Sequence, residues 1–80
     1  MKQVRVRLFA AFREFTGQES VDFRTTAIST GELYREMCET VAGLSHEPQA
    51  MVAVNDEMAG WDHELKDGDE ILLFPPVAGG

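Results

Sequence analysis

Apolar and charged side chains alternate at the start of the chain, where Val4, Val6 and Leu8 are separated by arginines. Successive side chains of a strand point to opposite faces, so this period of two predicts a strand with one buried face. The same alternation returns over residues 19–24. These residues are predicted to form a second strand that pairs back on the first.

Residues with helical spacing occur between these two strands and again after the second one. Phe12 and Phe15 lie three residues apart, which suits a helical turn that Gly17 can end. Ser29 and Glu32 have the spacing of a capping box, in which each side chain satisfies a free backbone N–H at a helix start. The main helix is therefore predicted to begin just after Ser29.

The main helix has an apolar stripe. Leu33, Met37 and Val41 recur at four-residue steps, with Tyr34 beside them, and such a stripe is typical of a helix that packs on a sheet. Gly43 is expected to end this helix. Three further strands follow, separated by turn-forming Asn, Asp and Gly residues. They are predicted at 49–55, 58–61 and 70–74.

The predicted order is strand, strand, helix, strand, short strand, strand. A helix that crosses one face of a mixed sheet is an α+β arrangement, and this order is the usual one in ubiquitin-like (β-grasp) folds. We therefore expect one domain over residues 1–74, with a mixed sheet packed against one main helix. Residues 75–80 are expected to extend from it as a flexible C-terminal Gly-Gly tail.

The tail has a stiff base and a tip without side chains. Pro75-Pro76 fix φ at about −65° and lack N–H donors, so they stop the last strand and direct the chain outward. Val77-Ala78 and then Gly79-Gly80 follow. Six residues reach about 20 Å when fully extended, and glycine passes through a channel that would exclude other residues. The alternative interpretation is a frayed chain end.

The charge of the chain is uneven. The 80 residues carry a formal net charge of −7, to which residues 1–35 contribute +2 and residues 36–80 contribute −9. This excess of acidic groups argues against nucleic-acid binding, which depends on Lys and Arg at phosphates. The acidic half either steers a partner with a basic docking surface or simply keeps the protein soluble.

Composition favours a cytoplasmic protein without a membrane segment or a metal site. No apolar run approaches the roughly 20 residues that cross a bilayer, and the N-terminus has a strand pattern rather than that of a signal peptide. Cys38 is the only cysteine, and we expect an inert thiol in the helix stripe. His46 and His63 lack a metal-ligand spacing with each other or with Cys38.

Several short segments of the chain form a characteristic set. They are Leu8-Phe9-Ala10, followed by Arg13-Glu14 and Gly17, then Ala53-Val54-Asn55, residues 62–70 and residues 74–80. Together these segments resemble the small subunit of molybdopterin synthase (the MoaD family). The resemblance covers almost the whole chain, and the Phe-Pro-Pro lead to the Gly-Gly end is its most specific part.

The resemblance implies that Gly80 is the working residue. In this family an E1-like adenylating enzyme activates the terminal glycine with ATP and Mg²⁺, and a sulfur nucleophile then converts the glycine to a thiocarboxylate. The large subunit of molybdopterin synthase, expected in a heterotetramer with the carrier, transfers this sulfur to precursor Z to build molybdopterin. The resemblance thus implies a sulfur-donating subunit that binds no cofactor itself and is not an enzyme on its own.

A docking surface follows from the strand periods. Phe9 is expected on the outer face of the sheet with Arg5 and Arg7, and Leu72 and Phe74 are expected to point the same way. The first and last strands are neighbours in a β-grasp fold, so these residues would form an exposed apolar patch at the root of the tail. The alternative is that a loop covers them.

The sequence leaves other functions open. The chain could carry sulfur for another product, such as thiamine thiazole, cysteine or a thiolated tRNA base. It could instead be a ubiquitin-like modifier that is joined through Gly80 to a lysine, or a simple β-grasp interaction module. The sulfur carriers and the modifier all use an activated C-terminus, so the tail does not distinguish between them.

Overall fold

The structure is a computed structural model that describes residues 1–76 of the chain. Within that range it contains five strands and two helices. Their order is β1 (Lys2–Leu8), α1 (Ala10–Thr16), β2 (Ser20–Thr25), α2 (Thr30–Thr40), β3 (Met51–Val54), β4 (Glu57–Ala59) and β5 (Glu70–Phe74). The order of elements predicted from the periodicity is therefore confirmed.

The five strands form one sheet in the order β2-β1-β5-β3-β4. The first and last strands, β1 and β5, run parallel in its interior, whereas the other neighbouring pairs are antiparallel. A parallel pair needs a crossover connection, and α2 lies within it and packs on one face of the sheet. The predicted α+β fold is confirmed, with a mixed sheet, one main helix and the strand order of a β-grasp.

One face of the sheet and the apolar side of α2 enclose the core. Val4, Val6 and Leu8 are at most 2% exposed, so β1 buries every second residue as the alternation predicted. Leu33 and Met37 of α2 pack into the same cluster. The other members of this buried cluster are Phe12, Ala27, Tyr34, Leu44, Ala50, Val52, Val54, Leu65, Ile71 and Leu73.

Local residues determine where the helices start and stop. Gly17, at φ 73°, ends α1 as predicted, and its N–H donates to the Arg13 carbonyl at 2.8 Å. The Ser29 Oγ accepts from the Glu32 N–H at 3.2 Å and caps α2. The Glu32 carboxylate accepts from the Ser29 hydroxyl at 3.5 Å rather than from its N–H, so only half of the predicted capping box is present.

The prediction that Gly43 ends the main helix is wrong. The last residue of α2 is Thr40, and the N–H of the extended residue Val41 donates to the Met37 carbonyl at 2.7 Å. Gly43 lies beyond the helix at φ 90°, where a Cβ would collide with the Phe15 carbonyl at the end of α1. Glycine is needed here because the loop passes so close to α1 with a left-handed backbone.

The hairpin β3–β4 is shorter than the sequence predicts. β3 starts at Met51 rather than at residue 49, and β4 covers Glu57–Ala59 rather than 58–61. Asn55 and Asp56 form the predicted turn, and both have positive φ, at 51° and 70°. A two-residue turn of this kind returns the chain at once, so β4 already begins at Glu57.

Tyr34 packs against the loop that follows α2 and forms hydrogen bonds with it. Its ring stacks on those of His46 and Trp61, with centroids 5.2 Å and 5.1 Å away. Trp61 lies just beyond the end of β4. The Tyr34 hydroxyl donates to the Ser45 carbonyl and accepts from the Glu47 N–H, both at 2.8 Å. Burial of the phenol raises the pKa of Tyr34 to about 12.

We expect Tyr34 to make the fold less stable at alkaline pH. The pKa of Tyr34 is about 12 in the folded protein, against about 10 in an unfolded chain. The stabilisation from the neutral phenol is therefore complete below about pH 10 and is lost as the pH rises towards 12.

Two measurements check this prediction. Tyr34 is the only tyrosine, so tyrosinate absorbance of the folded protein reports its titration directly. The unfolding free energy should decrease more steeply above about pH 10 in the wild type than in Tyr34→Phe, because only the wild type has the phenol. A tyrosinate titration at the pH of a free tyrosine would contradict the prediction.

Candidate functional site

Residues predicted from the strand period meet on the outer face of the sheet, opposite α2. Arg7 lies across from Leu72 in the parallel pair β1–β5. Phe9 follows β1 and stacks on Phe74, with ring centroids 4.7 Å apart and planes inclined by 16°. The Arg7 guanidinium carbon lies 5.5 Å from the centroid of the Phe9 ring, which is within cation–π range.

The three apolar members of this group are partly exposed. Phe9, Leu72 and Phe74 each keep an intermediate fraction of their surface accessible, so residues 1–76 do not cover any of the three completely. The rings of Phe9 and Phe74 pack against each other and remain partly accessible. Aromatic side chains fixed in this way often dominate binding at protein interfaces. We call Phe9, Leu72 and Phe74 the root patch.

Arg5 lies on the same face but has a different partner. Its Nε donates to Asp22 Oδ1 at 3.0 Å, and the two side chains are 60% and 57% exposed. The hydrogen bond that Arg5 donates to Asp22 raises the pKa of the Arg5 guanidinium. An exposed ion pair of this kind contributes little to stability. The structure therefore groups Arg7, and not Arg5, with the root patch.

Three residues next to the root patch were not predicted from the sequence. Met51 pairs with Phe74 across β3 and β5, Ala53 pairs with Leu72, and Met58 pairs with Ala53 across β3 and β4. Met51 and Met58 are 48% and 64% exposed, so they continue the apolar surface away from β1. The period of two does place Met51 and Ala53 opposite the core residues of β3. Only the sheet order brings them beside the root patch.

The base of the tail lies next to this surface. β5 ends at Phe74, as predicted from the two prolines, and Pro75 is half-buried while Pro76 is exposed. Side chains alternate here, so Leu73 enters the core and Phe74 joins the outer face. The remaining site residues predicted from the sequence are Val77, Ala78, Gly79 and Gly80, which lie outside the described residues.

Cys38, His46 and His63 are the other residues with chemically reactive side chains, and each contributes to the fold. Cys38 is half-buried, and burial raises the pKa of its thiol, which lowers the fraction of reactive thiolate. The His46 ring stacks on Tyr34, and the His63 carbonyl accepts from the Thr30 N–H at 3.0 Å. Residues 1–76 contain no group of three His, Cys, Asp or Glu side chains placed to hold a metal ion. In the same range, no helix is long and apolar enough to cross a membrane.

The family of this chain follows from a comparison with known families. The model of the ThiS family matches residues 6–80, which is nearly the whole chain. The chain belongs to the ThiS family. It is therefore a sulfur carrier of the MoaD/ThiS type, and carriers of this family form a thiocarboxylate at their C-terminus.

Three relatives of this ThiS-family chain span its length. The molybdopterin synthase sulfur carrier subunit of Escherichia coli is 31% identical, over 96% of this chain and 99% of that protein. Small archaeal modifier protein 3 of Haloferax volcanii is 33% identical, over 98% and 99%. A solved complex of subunits 1 and 2 of the molybdopterin-converting factor from Helicobacter pylori contains a chain 32% identical, with a TM-score of 0.65 and coverage of 98% and 99%.

We expect the Phe9 and Phe74 rings to stabilise the fold as a coupled pair. Unfolding free energies of Phe9→Ala, Phe74→Ala and the double variant form a double-mutant cycle. The coupling energy should be about 0.5–1.5 kcal/mol, the usual range for an aromatic pair. Strictly additive losses in denaturant unfolding would show that the two rings act independently.

Proposed function

We propose that this chain is the sulfur-carrier subunit of molybdopterin synthase and that its working group is the carboxylate of Gly80. The main support is the similarity to the Escherichia coli subunit, which extends over 96% of this chain and 99% of that protein. The family match also runs through Gly80. This ThiS-family carrier would supply the sulfur for precursor Z in the synthesis of the molybdenum cofactor.

The proposed chemistry activates an otherwise unreactive carboxylate. The Gly80 carboxylate attacks the α-phosphorus of ATP on an adenylating enzyme, and pyrophosphate leaves to give a glycyl adenylate. A sulfur nucleophile then attacks the glycyl carbonyl, and AMP leaves as the thiocarboxylate is formed. ATP and Mg²⁺ belong to the adenylating enzyme in this scheme, so the carrier needs only the covalent sulfur at Gly80.

The geometry of the described residues suits this role. β5 pairs with β1 and β3 on its two sides, so the strand that leads into the tail is anchored along its length. The proposed tail of residues 75–80 would leave this rigid base beside the root patch. A partner that binds the patch is thereby positioned to receive Gly79-Gly80.

Two protein partners follow from this proposal. The large catalytic subunit would accept the thiocarboxylate, in a heterotetramer with two carriers, and the E1-like enzyme would form the adenylate. The Helicobacter pylori structure is a complex of subunits 1 and 2 of the molybdopterin-converting factor, which supports a stable pairing of this kind. We assign Phe9, Leu72, Phe74 and Arg7 to the docking surface, with Met51 and Met58 at its margin.

A second candidate function comes from the archaeal relative. Small archaeal modifier protein 3 is 33% identical over 98% of this chain, so it resembles the chain as well as the Escherichia coli subunit does. The same glycyl adenylate could pass to a protein lysine and form an isopeptide bond. This function predicts higher-mass covalent conjugates in cells, and those conjugates should disappear when Gly80 is deleted.

The first test is the intact mass of the protein from cells that assemble the cofactor, with and without the adenylating enzyme. Replacement of one Gly80 oxygen by sulfur adds about 16 Da, because sulfur and oxygen differ by that mass, and fragmentation must place the change on Gly80. Methionine oxidation also adds one oxygen and therefore has to be excluded. An enzyme-dependent thiocarboxylate is expected, and an unmodified Gly80 in both samples, without adenylate on incubation with ATP, would overturn the proposal.

Phe74→Ala tests the docking surface. We expect this change to weaken binding of the large subunit by about 1–3 kcal/mol, since truncating an aromatic anchor removes packing that water cannot replace. Titration calorimetry gives the affinity, and circular dichroism checks that the fold is intact. Normal binding by the folded variant would remove Phe74 from the interface.

A further inference from the structure

A second apolar surface lies at the base of the tail, on the side opposite to Phe74. It is a groove of about 110 Å³ between α1 and the two prolines. Its apolar walls are Ala11, Phe12, Phe15, Pro75 and Pro76, and two polar residues, Ser45 and Glu47, complete its lining. None of these residues belongs to the root patch.

Phe15 is the unusual residue of this groove. Its side chain is 71% exposed, although Phe12, one helical turn earlier, is only 3% exposed and belongs to the core. The backbone at Phe15 is nevertheless held in place, because Phe12 anchors α1 in the core and Gly43 lies against the Phe15 carbonyl. A large apolar ring held at the edge of a concave surface is typical of an interaction site.

The tail itself forms one wall of the groove. Phe74 points to the outer face of the sheet, whereas Pro75 and Pro76 line the groove together with α1. Only four residues separate Pro76 from Gly80, and four extended residues span at most about 14 Å. An enzyme that encloses the Gly80 carboxylate therefore comes within about 14 Å of Pro76, which lines this groove.

We propose that the adenylating enzyme inserts an apolar side chain into this groove when it takes up the tail. At about 110 Å³ the groove has room for an apolar side chain but not for a second element of structure. The enzyme thus holds the tail between two contacts, with the root patch on one side and the groove on the other. This inference rests on the proposed function, since it assumes that Gly80 is adenylated.

Two opposite changes test the groove with the full-length protein. Phe15→Ala removes an exposed wall, and Ala11→Leu fills the groove with a residue that favours helix. Ile28→Ala is the matched control, because Ile28 is 62% exposed and does not line the groove. Affinity for the purified adenylating enzyme and ATP-dependent release of pyrophosphate are measured for each protein, together with its thermal unfolding.

Both groove variants should bind the adenylating enzyme at least about tenfold more weakly than the wild type, a loss of about 1.4 kcal/mol. Ile28→Ala should bind within about twofold of the wild type. If Ala11→Leu fails to fold, Phe15→Ala decides the result, since its side chain is mostly exposed.

The outcomes separate this inference from the proposed function. Wild-type affinity in folded Phe15→Ala, with weaker binding by Phe74→Ala, would overturn the groove contact and leave the sulfur-carrier function in place. Absence of pyrophosphate release with the wild type itself would overturn both. A loss of affinity in Ile28→Ala as large as that in Phe15→Ala would also overturn the groove contact, because the effect would not be specific to this site.

Discussion

The parallel pairing of β1 with β5 connects the core of this protein with its candidate functional surface. Val6 pairs with Ile71 and Leu8 with Leu73, and all four side chains lie in the core. The same register places the intervening residues on the outer face of the sheet. One set of backbone hydrogen bonds therefore stabilises the fold and also brings Phe9 beside Phe74, 65 residues later in the chain.

This arrangement gives the tail a rigid origin. Phe74 is the last residue of a strand that has neighbours on both sides, and the chain leaves the sheet at Pro75. Phe74 points to the outer face of the sheet, whereas Pro75 and Pro76 line the groove at α1. The root patch and the groove therefore lie on opposite sides of the same short segment. In the proposed function, a reactive group at Gly80 needs no catalytic residues nearby, because partners that hold the base of the tail would orient it.

Periodicity was a good guide where residues close in sequence determine the structure, and a poor one where distant residues meet. The alternation of β1, the Gly17 terminus of α1 and the Ser29 cap of α2 were all predicted correctly. Gly43 was wrongly predicted to end α2. A glycine is needed there because a Cβ would collide with the Phe15 carbonyl of α1. Trp61 was assigned to a strand, although stacking on Tyr34 draws it into the loop region.

The sequence by itself determined the strand and helix pattern, the α+β class and the family resemblance, because these depend on local spacing and on a short specific motif. It also placed Phe9, Leu72 and Phe74 on one face, since a period of two fixes which side chains share a side of a strand. Only the tertiary structure paired Arg5 with Asp22, added Met51 and Met58 beside the root patch and formed the groove at Phe15. Those contacts join residues from different elements, and their geometry depends on sheet order and loop packing, which spacing along the chain does not encode.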